Sequence, residues 1–540
     1  MTPPYWPIAR TLLGRAFSML DREEGSVSRG SFDRTWWCWK FTDFSAPRMQ
    51  EGIYPLAFCL TSPLANVEMR NSGRLLDGAA SAIGFWARLQ HADGCFDEAY
   101  PFERSLAATA FTGFYVGAAL ERLRPILDAG TRDTAMKTIE RGATWLDRNG
   151  EWHGVLSNHL AAAAGALQLA GDILGTDRFK AARDRYIGKI LAEQHAKEGW
   201  FREYAGADPG YQGHAIFYLA EIWRRTQDGR LREALRLACA FSAWFAHPDG
   251  SMGGEHCSRG TTFSFPAGFE ILAPQLDDAA AVAGHLRRSM AGEGCVGAAQ
   301  MDVWNFFPLL NNLLFAAEMS STSLGDHALP WHRDGARIVY PDAGLAVARS
   351  GNSVIAVGLA NGVLKHWLAD GTLVYEDAGY LVRENAKAAI SHDRRQAEAV
   401  DLADCLRLRI ETGFCWVTSQ RFDPMRFICF RLFTTTAGRI PTVARWLKSL
   451  LVRLLVSRTR PASGRLVREI CFHGDGALTV TDALDSLPAP PVAIADGLPY
   501  HMGSSRYCSL LQGIGPTHRP QPPLRQDGHW KRRIVIPAAP

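Results

Sequence analysis

The chain of 540 residues lacks several features that mark common classes of protein. Its 11 cysteines include no Cys-x-x-Cys pair, which argues against a zinc ribbon and against a dithiol redox motif. No run of about 18 uncharged apolar residues occurs, so no transmembrane helix is predicted. The net charge is only +4, from 59 Lys and Arg against 55 Asp and Glu. Over this length that excess is too small for a dedicated nucleic-acid-binding protein, and we expect no nucleic-acid partner.

The N-terminus also lacks the pattern of a secretory signal peptide. Residues 1–20 contain Pro3, Pro4 and Pro7 and no uninterrupted apolar stretch. Cysteines such as Cys429 lie inside apolar runs, where a free thiol behaves as a small core residue. We therefore expect a cytoplasmic protein, peripheral at the inner face of the membrane if the basic helix described below is an anchor.

The composition is that of a large globular protein. Apolar residues make up 47% of the chain and charged residues 21%, and the length predicts two or three domains. The 16 tryptophans are unusual. They suit a carbohydrate-facing surface and a large core equally well.

Residues 1 to about 320 have the periodicity of helices, with Gly-centred loops between them. Loop glycines at 94, 150, 199 and 250 recur about every 50 residues, which is typical of an array of helical hairpins. Four visible repeats, with room for one or two more, predict an α/α toroid over residues 1–325. The predicted helical stretches are 48–62, 105–125, 133–147, 156–175, 209–226 and 230–246.

From about Arg337 the pattern changes to short alternating runs rich in β-branched residues. Because helical patterns are missing between them, we expect an antiparallel β-sandwich over residues 335–540 and an α+β multidomain chain. The predicted strands are 345–349, 353–359, 406–411, 415–418 and 477–481.

A basic insertion, around 437–460, interrupts the sandwich. Pro424–Arg468 contains ten Arg and Lys and no acidic residue, and Pro441–Val456 predicts an amphipathic helix. This helix either packs on the sheet or makes a peripheral contact with a membrane or an acidic polymer through 441–456.

Two loops carry side chains suited to proton transfer. Asn158 and His159 stand at the start of an alanine-rich helix, where Ser157 or Asn158 could instead be only the N-cap. Tyr211 follows an Asp-Pro-Gly turn, at a helix N-terminus that would favour a phenolate. Its alternative role is to staple this helix to a neighbour.

Two further segments are unusually rich in polar or aromatic residues. The loop 249–261 contains Glu255, His256 and Arg259, and Arg259 could hold a carboxylate through two hydrogen bonds. The segment 30–41 holds three tryptophans between Arg34 and Lys40, which suits either a sugar platform or a buried cap of the toroid. Neither segment has the spacing of a metal site, and no metal or cofactor is predicted.

These motifs give a family resemblance. A toroid followed by a β-sandwich, with Ser157-Asn158-His159 and then Pro209-Gly210-Tyr211, resembles the heparinase II/III and oligoalginate lyase superfamily. Two features depart from that family, since Gln212 stands where it usually has His and the sandwich lacks a His-x-His strand motif. The nearest counterpart to that motif is His366.

The resemblance implies a polysaccharide lyase that cleaves a uronic-acid-containing polysaccharide by β-elimination. Asn158 and Arg259 would neutralise the substrate carboxylate, His159 would be the base, and Tyr211 the acid or both. The partner would be an acidic polysaccharide or oligosaccharide. Candidate substrate-binding residues are Arg34, Trp39, Lys40, Trp152, Trp200, Arg202, Glu203, Glu255, His256 and His366.

Three alternatives share the same scaffold. A glycoside hydrolase would need a pair of carboxylates, for which the loop candidates are Asp93, Asp97, Glu98, Glu203 and Glu255. A uronosyl epimerase would abstract the same proton and leave the chain uncut. A non-catalytic polysaccharide-binding or assembly protein would keep the aromatic surface without the chemistry.

Overall fold

The computed structural model describes residues 3–40, 42–151, 154–204, 206–253, 261–292, 294–320, 324, 325, 327–385, 387–401, 404–417, 423–455, 460–495 and 515–538. The helices of the N-terminal region are α1 (Trp6–Ser18), α2 (Arg34–Trp37), α3 (Ile53–Thr61), α4 (Val67–Arg70), α5 (Gly73–Leu89), α6 (Leu106–Leu123), α7 (Ala129–Arg148), α8 (Ser157–Leu174), α9 (Lys180–Glu193), α10 (Pro209–Thr226), α11 (Gly229–Ala243), α12 (Ala267–Leu272), α13 (Asp277–Ala291) and α14 (Val303–Met319).

The C-terminal region holds the strands and two more helices. In chain order these are β1 (Arg337–Tyr340), β2 (Leu345–Ser350), β3 (Ser353–Gly358), β4 (Leu364–Leu368), β5 (Leu373–Asp377), β6 (Tyr380–Glu384), β7 (Lys387–Asp401), β8 (Cys405–Trp416), α15 (Pro424–Thr435), α16 (Pro441–Leu455), β9 (Pro461–His473), β10 (Leu478–Asp485), β11 (Val492–Ala493), β12 (Leu524–Gln526) and β13 (His529–Ile536). No described helix is both long enough and apolar enough to cross a bilayer.

The helices of the N-terminal region close into a ring, which confirms the predicted toroid. The inner helices α3, α6, α8, α10, α12 and α14 each pack on the next, and α14 returns to α3. The outer helices α1, α5, α7, α9, α11 and α13 alternate with them along the chain. The alanine run 161–164 of α8 is fully buried, because small side chains let the inner helices approach one another closely.

A repeated turn fixes the loops between hairpins. Gly94, Gly199 and Gly250 each donate a backbone N–H to the carbonyl of a histidine three or four residues earlier. All three have positive φ, of 102°, 82° and 87°, which only glycine adopts at low cost. At Gly94 and Gly199 a Cβ atom would also collide with the backbone carbonyl of Arg141 or Leu237 on the next outer helix. The period seen in the sequence is therefore a packing requirement.

The C-terminal strands form two antiparallel sheets, as predicted. One has five strands in the order β1-β2-β3-β4-β5, and the other has eight in the order β11-β6-β7-β8-β9-β10-β13-β12. Ile355 and Val357 of the smaller sheet pack against Leu408 and Ile470 of the larger one. The opposite face of the smaller sheet packs on the toroid, which explains why β3 is buried along its whole length.

The sandwich encloses a network of charged residues from both sheets. Arg468 is fully buried and pairs with Asp482 at 2.8 Å and with Asp377 at 2.9 Å. Arg532 pairs with the same two carboxylates, and the Tyr380 hydroxyl donates to Asp482 at 2.6 Å. One of the ten cations in the basic stretch is therefore an internal residue of the sandwich.

The basic insertion joins β8 to β9 and reaches the toroid. Arg104 of a toroid loop donates to the carbonyl of Arg439 at 2.9 Å. Lys448 of α16 pairs with Glu103 at 3.0 Å, and Arg431 of α15 pairs with Asp43 at 3.0 Å. The sequence left open whether this helix packs on the sheet; the ion pair between Lys448 and Glu103 attaches it to the toroid.

Candidate active site

The N-terminus of α8 is satisfied by a neighbouring loop. The N-cap, Leu156, offers no side-chain acceptor, so neither Ser157 nor Asn158 is the cap. Instead the Glu203 carboxylate accepts the backbone N–H of Asn158 at 2.9 Å and its amide nitrogen, Nδ2, at 2.7 Å. The carbonyl of Arg202 accepts from Ser157. The carboxylate also suits the positive end of the helix dipole, so Glu203 holds Asn158 in place.

His159 lies one residue further along α8 and is partly exposed. Its Nδ1 is 2.9 Å from Oε2 of Glu151, whose side chain is almost completely buried. A carboxylate at this distance accepts the Nδ1 proton and leaves Nε2 with the lone pair. The Phe111 ring meets the imidazole edge to face at 5.5 Å. His159 is thus oriented as a base that acts through Nε2.

Two more charged residues border His159. Arg48 pairs with Glu51 at 2.8 Å and with Glu98 at 3.3 Å, and its guanidinium lies 4.5 Å from the centre of the Phe111 ring. Burial would raise the pKa of Glu98, but the charges of Arg48, His159 and Lys448 outweigh burial and lower it. Glu98 is therefore held as a carboxylate beside the imidazole.

Tyr211 lies at the N-terminus of α10. Asp208 caps this helix by accepting the Tyr211 N–H at 3.0 Å, and its second oxygen accepts from the N–H of Thr261 at 3.4 Å. Gly210 is needed here because a Cβ atom would lie 2.5 Å from the Thr261 side chain. The Tyr211 ring meets Phe263 at 6.1 Å. The Asp-Pro-Gly turn thus lets the segment after residue 260 pass directly over the tyrosine.

A series of aromatic rings joins the ends of α8 and α10. His214, one turn after Tyr211, stacks on Phe265 at 3.9 Å and on Phe111 at 5.4 Å. Phe111 also contacts His159, and Phe265 contacts Phe263, the neighbour of Tyr211. His159 and Tyr211 thus belong to one cluster at the same end of the toroid.

Gln212 explains one departure from the family pattern. It is fully buried, accepts from the N–H of Phe201 at 2.9 Å and donates to the carbonyl of Ala238 at 3.0 Å. An amide, with a donor and an acceptor, satisfies both backbone groups at once. Gln212 therefore ties α10 to the loop before it and to α11.

Other predicted site residues lie away from this cluster. Trp200 is buried between the toroid and the smaller sheet, where its Nε1 donates to Glu198 at 2.7 Å. His366 is buried within the sandwich, and burial lowers its pKa to about 4. Arg202 pairs with Glu193 at 3.0 Å on the surface. These positions serve packing or surface pairing in this structure.

The segment with three tryptophans is only partly exposed. Arg34 donates to the carbonyl of Ser18 at 2.7 Å, whereas Trp39 and Lys40 face solvent. This segment leads to Asp43, which binds α15, so it borders the insertion. Trp152, Glu255, His256 and Arg259 lie outside the described residues.

One group of side chains among the described residues could hold a metal ion by geometry. His195, Glu198 and Asp342 present their ligand atoms within 4.8 Å of one another. His195 Nδ1 accepts from the Glu198 N–H at 3.0 Å, and Glu198 accepts from Trp200 and from the N–H groups of residues 342 and 343. Because Asp342 precedes β2, this group joins the toroid to the sandwich. The prediction of no metal stays a prediction.

The fold is similar to that of α/α toroid polysaccharide lyases. The chondroitin AC lyase of Streptomyces coelicolor A3 superposes with a TM-score of 0.57 at 10% identity, covering 91% of this chain and 68% of that one. Heparinase III gives a TM-score of 0.48 at 10% identity, covering 83% and 65%. No curated protein sequence matches the chain significantly.

A comparison of the sequence with protein-family models gives a match. Residues 35–261 match the family model of the Ulvan lyase N-terminal domain, a segment that includes Asn158, His159, Tyr211 and Arg259. The match and the fold confirm the predicted resemblance to the polysaccharide lyases of the α/α toroid class.

Proposed function

We propose that this chain cleaves an acidic, uronic-acid-containing polysaccharide or oligosaccharide by β-elimination. The observation that carries the proposal is the oriented His159–Glu151 pair, in one aromatic cluster with Tyr211 at the same end of the toroid. Elimination needs a base and an acid on one substrate, and these two side chains supply both.

The carbon-5 proton of a uronate is too weakly acidic to leave unless the carboxylate is stabilised. In the proposal Asn158 gives its second amide N–H to that carboxylate, and Arg259 adds a cation. His159 Nε2 removes the proton, and Glu151 stabilises the imidazolium that forms. Tyr211 protonates the departing glycosidic oxygen, or performs both transfers in a syn elimination.

A panel of uronate polymers tests the reaction class. A rise in ultraviolet absorbance together with new reducing ends indicates elimination, whereas reducing ends alone indicate hydrolysis. If neither signal appears, the remaining alternatives are an epimerase and a binding protein. The variant Tyr211→Phe should abolish turnover and keep binding, because only the hydroxyl is removed. Tyr340→Phe, a partly buried tyrosine at the sandwich interface, is the matched control and should retain activity.

We also propose that the insertion makes a peripheral contact with an anionic membrane. Its exposed apolar side chains include Met425 and Trp446, whose surfaces are 68% and 61% exposed, together with Ile428, Leu432 and Ile440. Leu447 is buried, so the proposed surface combines α15 with the outer edge of α16. An apolar patch with surrounding cations and no acid within 424–455 suits anionic lipid headgroups.

Flotation with vesicles tests the contact. The wild type should float with vesicles that contain anionic lipid and much less with neutral ones, and Met425→Glu plus Trp446→Glu should abolish flotation. Val27→Glu replaces an even more exposed apolar residue elsewhere and should leave flotation unchanged. A wild-type protein that does not float with anionic vesicles would contradict the proposed contact. The cytoplasmic leaflet is the surface we propose for it, and cell fractionation tests that location.

A further inference from the structure

A cavity separates the insertion from the toroid next to His159. Its volume is about 240 Å³. One wall is the C-terminal turn of α7 with Arg148, and another is the loop that carries Glu103. The third wall is α16, with Arg445 and Lys448, and Glu151 closes the end toward His159. The sandwich domain thus contributes side chains to a cleft of the toroid.

The acidic side chains of this cavity already have partners within the protein. Asp93 pairs with Arg104 at 3.2 Å. Glu103 pairs with Lys448 at 3.0 Å and also accepts the N–H of Ala99 at 2.6 Å. Glu151 is bonded to His159. Asp93 and Glu103 are therefore neutralised by cations, and Glu151 is held in place by its hydrogen bond to the imidazole.

The residues that line the cavity include four cations and these three acids. Besides Arg104 and Lys448, Arg148 and Arg445 border the cavity from opposite walls, and both are exposed. A guanidinium binds a carboxylate or a sulfate through two parallel hydrogen bonds, which favours an anionic ligand between the walls. The volume lies below the ~300–1000 Å³ of a pocket for a drug-sized molecule, so the ligand is small.

We propose that this cavity is a subsite for one sugar unit bearing a carboxylate or a sulfate, bound by Arg148 and Arg445 next to the unit that reacts. The proposal rests on the proposed polysaccharide substrate and adds the insertion to its binding site. Lys448 is a positioning residue here, since its pair with Glu103 holds α16 against the toroid. Arg104 adds to this attachment through the carbonyl of Arg439.

Binding is measured by calorimetry, on the Tyr211→Phe background so that ligands stay intact. The probes are oligouronates of two to six units, a sulfated oligosaccharide of the same length, and a neutral cello-oligosaccharide. Arg148→Ala and Arg445→Ala should each weaken binding of the anionic probes by about 10- to 100-fold, the usual effect of losing one hydrogen bond to a charged group. Arg426→Ala, on the same hairpin and outside the cavity lining, should leave binding unchanged.

The outcomes separate the subsite from the reaction. If the arginine variants lose affinity but the wild type cleaves no uronate polymer, the subsite stands and the lyase proposal falls. If both arginine variants bind the anionic probes as the parent does, or if the parent binds none of them, the subsite is refuted whatever the activity. Arg148→Lys should recover part of the affinity, which a merely structural arginine would not predict.

Discussion

Glu203 should control the position of Asn158, and this dependence can be measured. Its carboxylate is fully buried and accepts two hydrogen bonds from Asn158, at 2.9 and 2.7 Å. A hydrogen bond to a charged group contributes about 1.5–3 kcal/mol to stability. Glu203→Ala removes both and should cost about 3–6 kcal/mol, whereas Glu203→Gln keeps one acceptor and should cost about 1.5–3 kcal/mol.

The rate should respond in parallel. If Asn158 stabilises the developing charge on the substrate, displacing it should lower kcat by about 100- to 1000-fold, the usual effect of one lost oxyanion donor. Urea unfolding followed by the helical circular-dichroism signal gives the stability of the toroid. Glu193→Gln, which removes only a surface pair with Arg202, is the control and should change stability by less than about 1 kcal/mol.

Two results would refute this reasoning. A Glu203→Gln variant with wild-type stability but no activity would mean that the carboxylate acts on the substrate, as a hydrolase requires. A Glu203→Ala variant with wild-type stability and rate would mean that the position of Asn158 does not depend on Glu203. The crystal structure of the Glu203→Ala variant would then show which contact replaces the lost one.

Three further predictions concern stability. Arg468→Ala should destabilise the sandwich by about 3–5 kcal/mol in urea unfolding, because Asp377 and Asp482 stay buried and lose one of the two arginines, Arg468 and Arg532, that pair with them both. Burial lowers the pKa of His285 and of His366 to about 4, so the unfolded chain binds more protons below about pH 6.5. Stability should therefore fall between about pH 6.5 and 4, by up to ~3 kcal/mol per histidine, and His366→Gln should flatten that profile for the sandwich. Gly210→Ala should lower both the melting temperature and kcat, since its Cβ would collide with Thr261. An unchanged kcat would show that the position of Tyr211 does not depend on the close contact between Gly210 and Thr261.

Much of the fold could be predicted from the sequence because local rules dictate it. The spacing of loop glycines reports a turn that packs on the next outer helix, so a period of about 50 residues directly reflects the ring. The pair His159 and Tyr211 could be predicted as neighbours for the same reason. Inner helices of a toroid run parallel, which puts their N-termini at one end.

The partners of these residues could not be predicted. Arg48, Glu98 and Glu151 come from separate segments of the chain, and the closure of the ring brings them to the same end of the toroid as His159. His214 was missed, although its position one turn after Tyr211 was a usable signal. Trp200 was predicted to bind substrate because the sequence does not say which face of the toroid the sandwich covers.

The partners of the cations in the insertion also could not be predicted from its local composition. Ten cations without an acid suggest an external anion, yet Arg431, Lys448 and Arg468 pair with carboxylates far away in the sequence. Pairing therefore accounts for part of the bias. Ion pairing does not account for the exposed apolar side chains of α15, and these side chains support the proposed membrane contact.

The charges around His159 alternate in a way that suits its proposed role. Glu98 and Glu151 border the imidazole, while Arg48 and Lys448 stand beyond them and lower the pKa of Glu98. When His159 takes a proton, the new imidazolium gains two carboxylates that need not move to stabilise it. Preorganised charge of this kind is what lowers a barrier, because the protein does not have to reorganise as the charge develops.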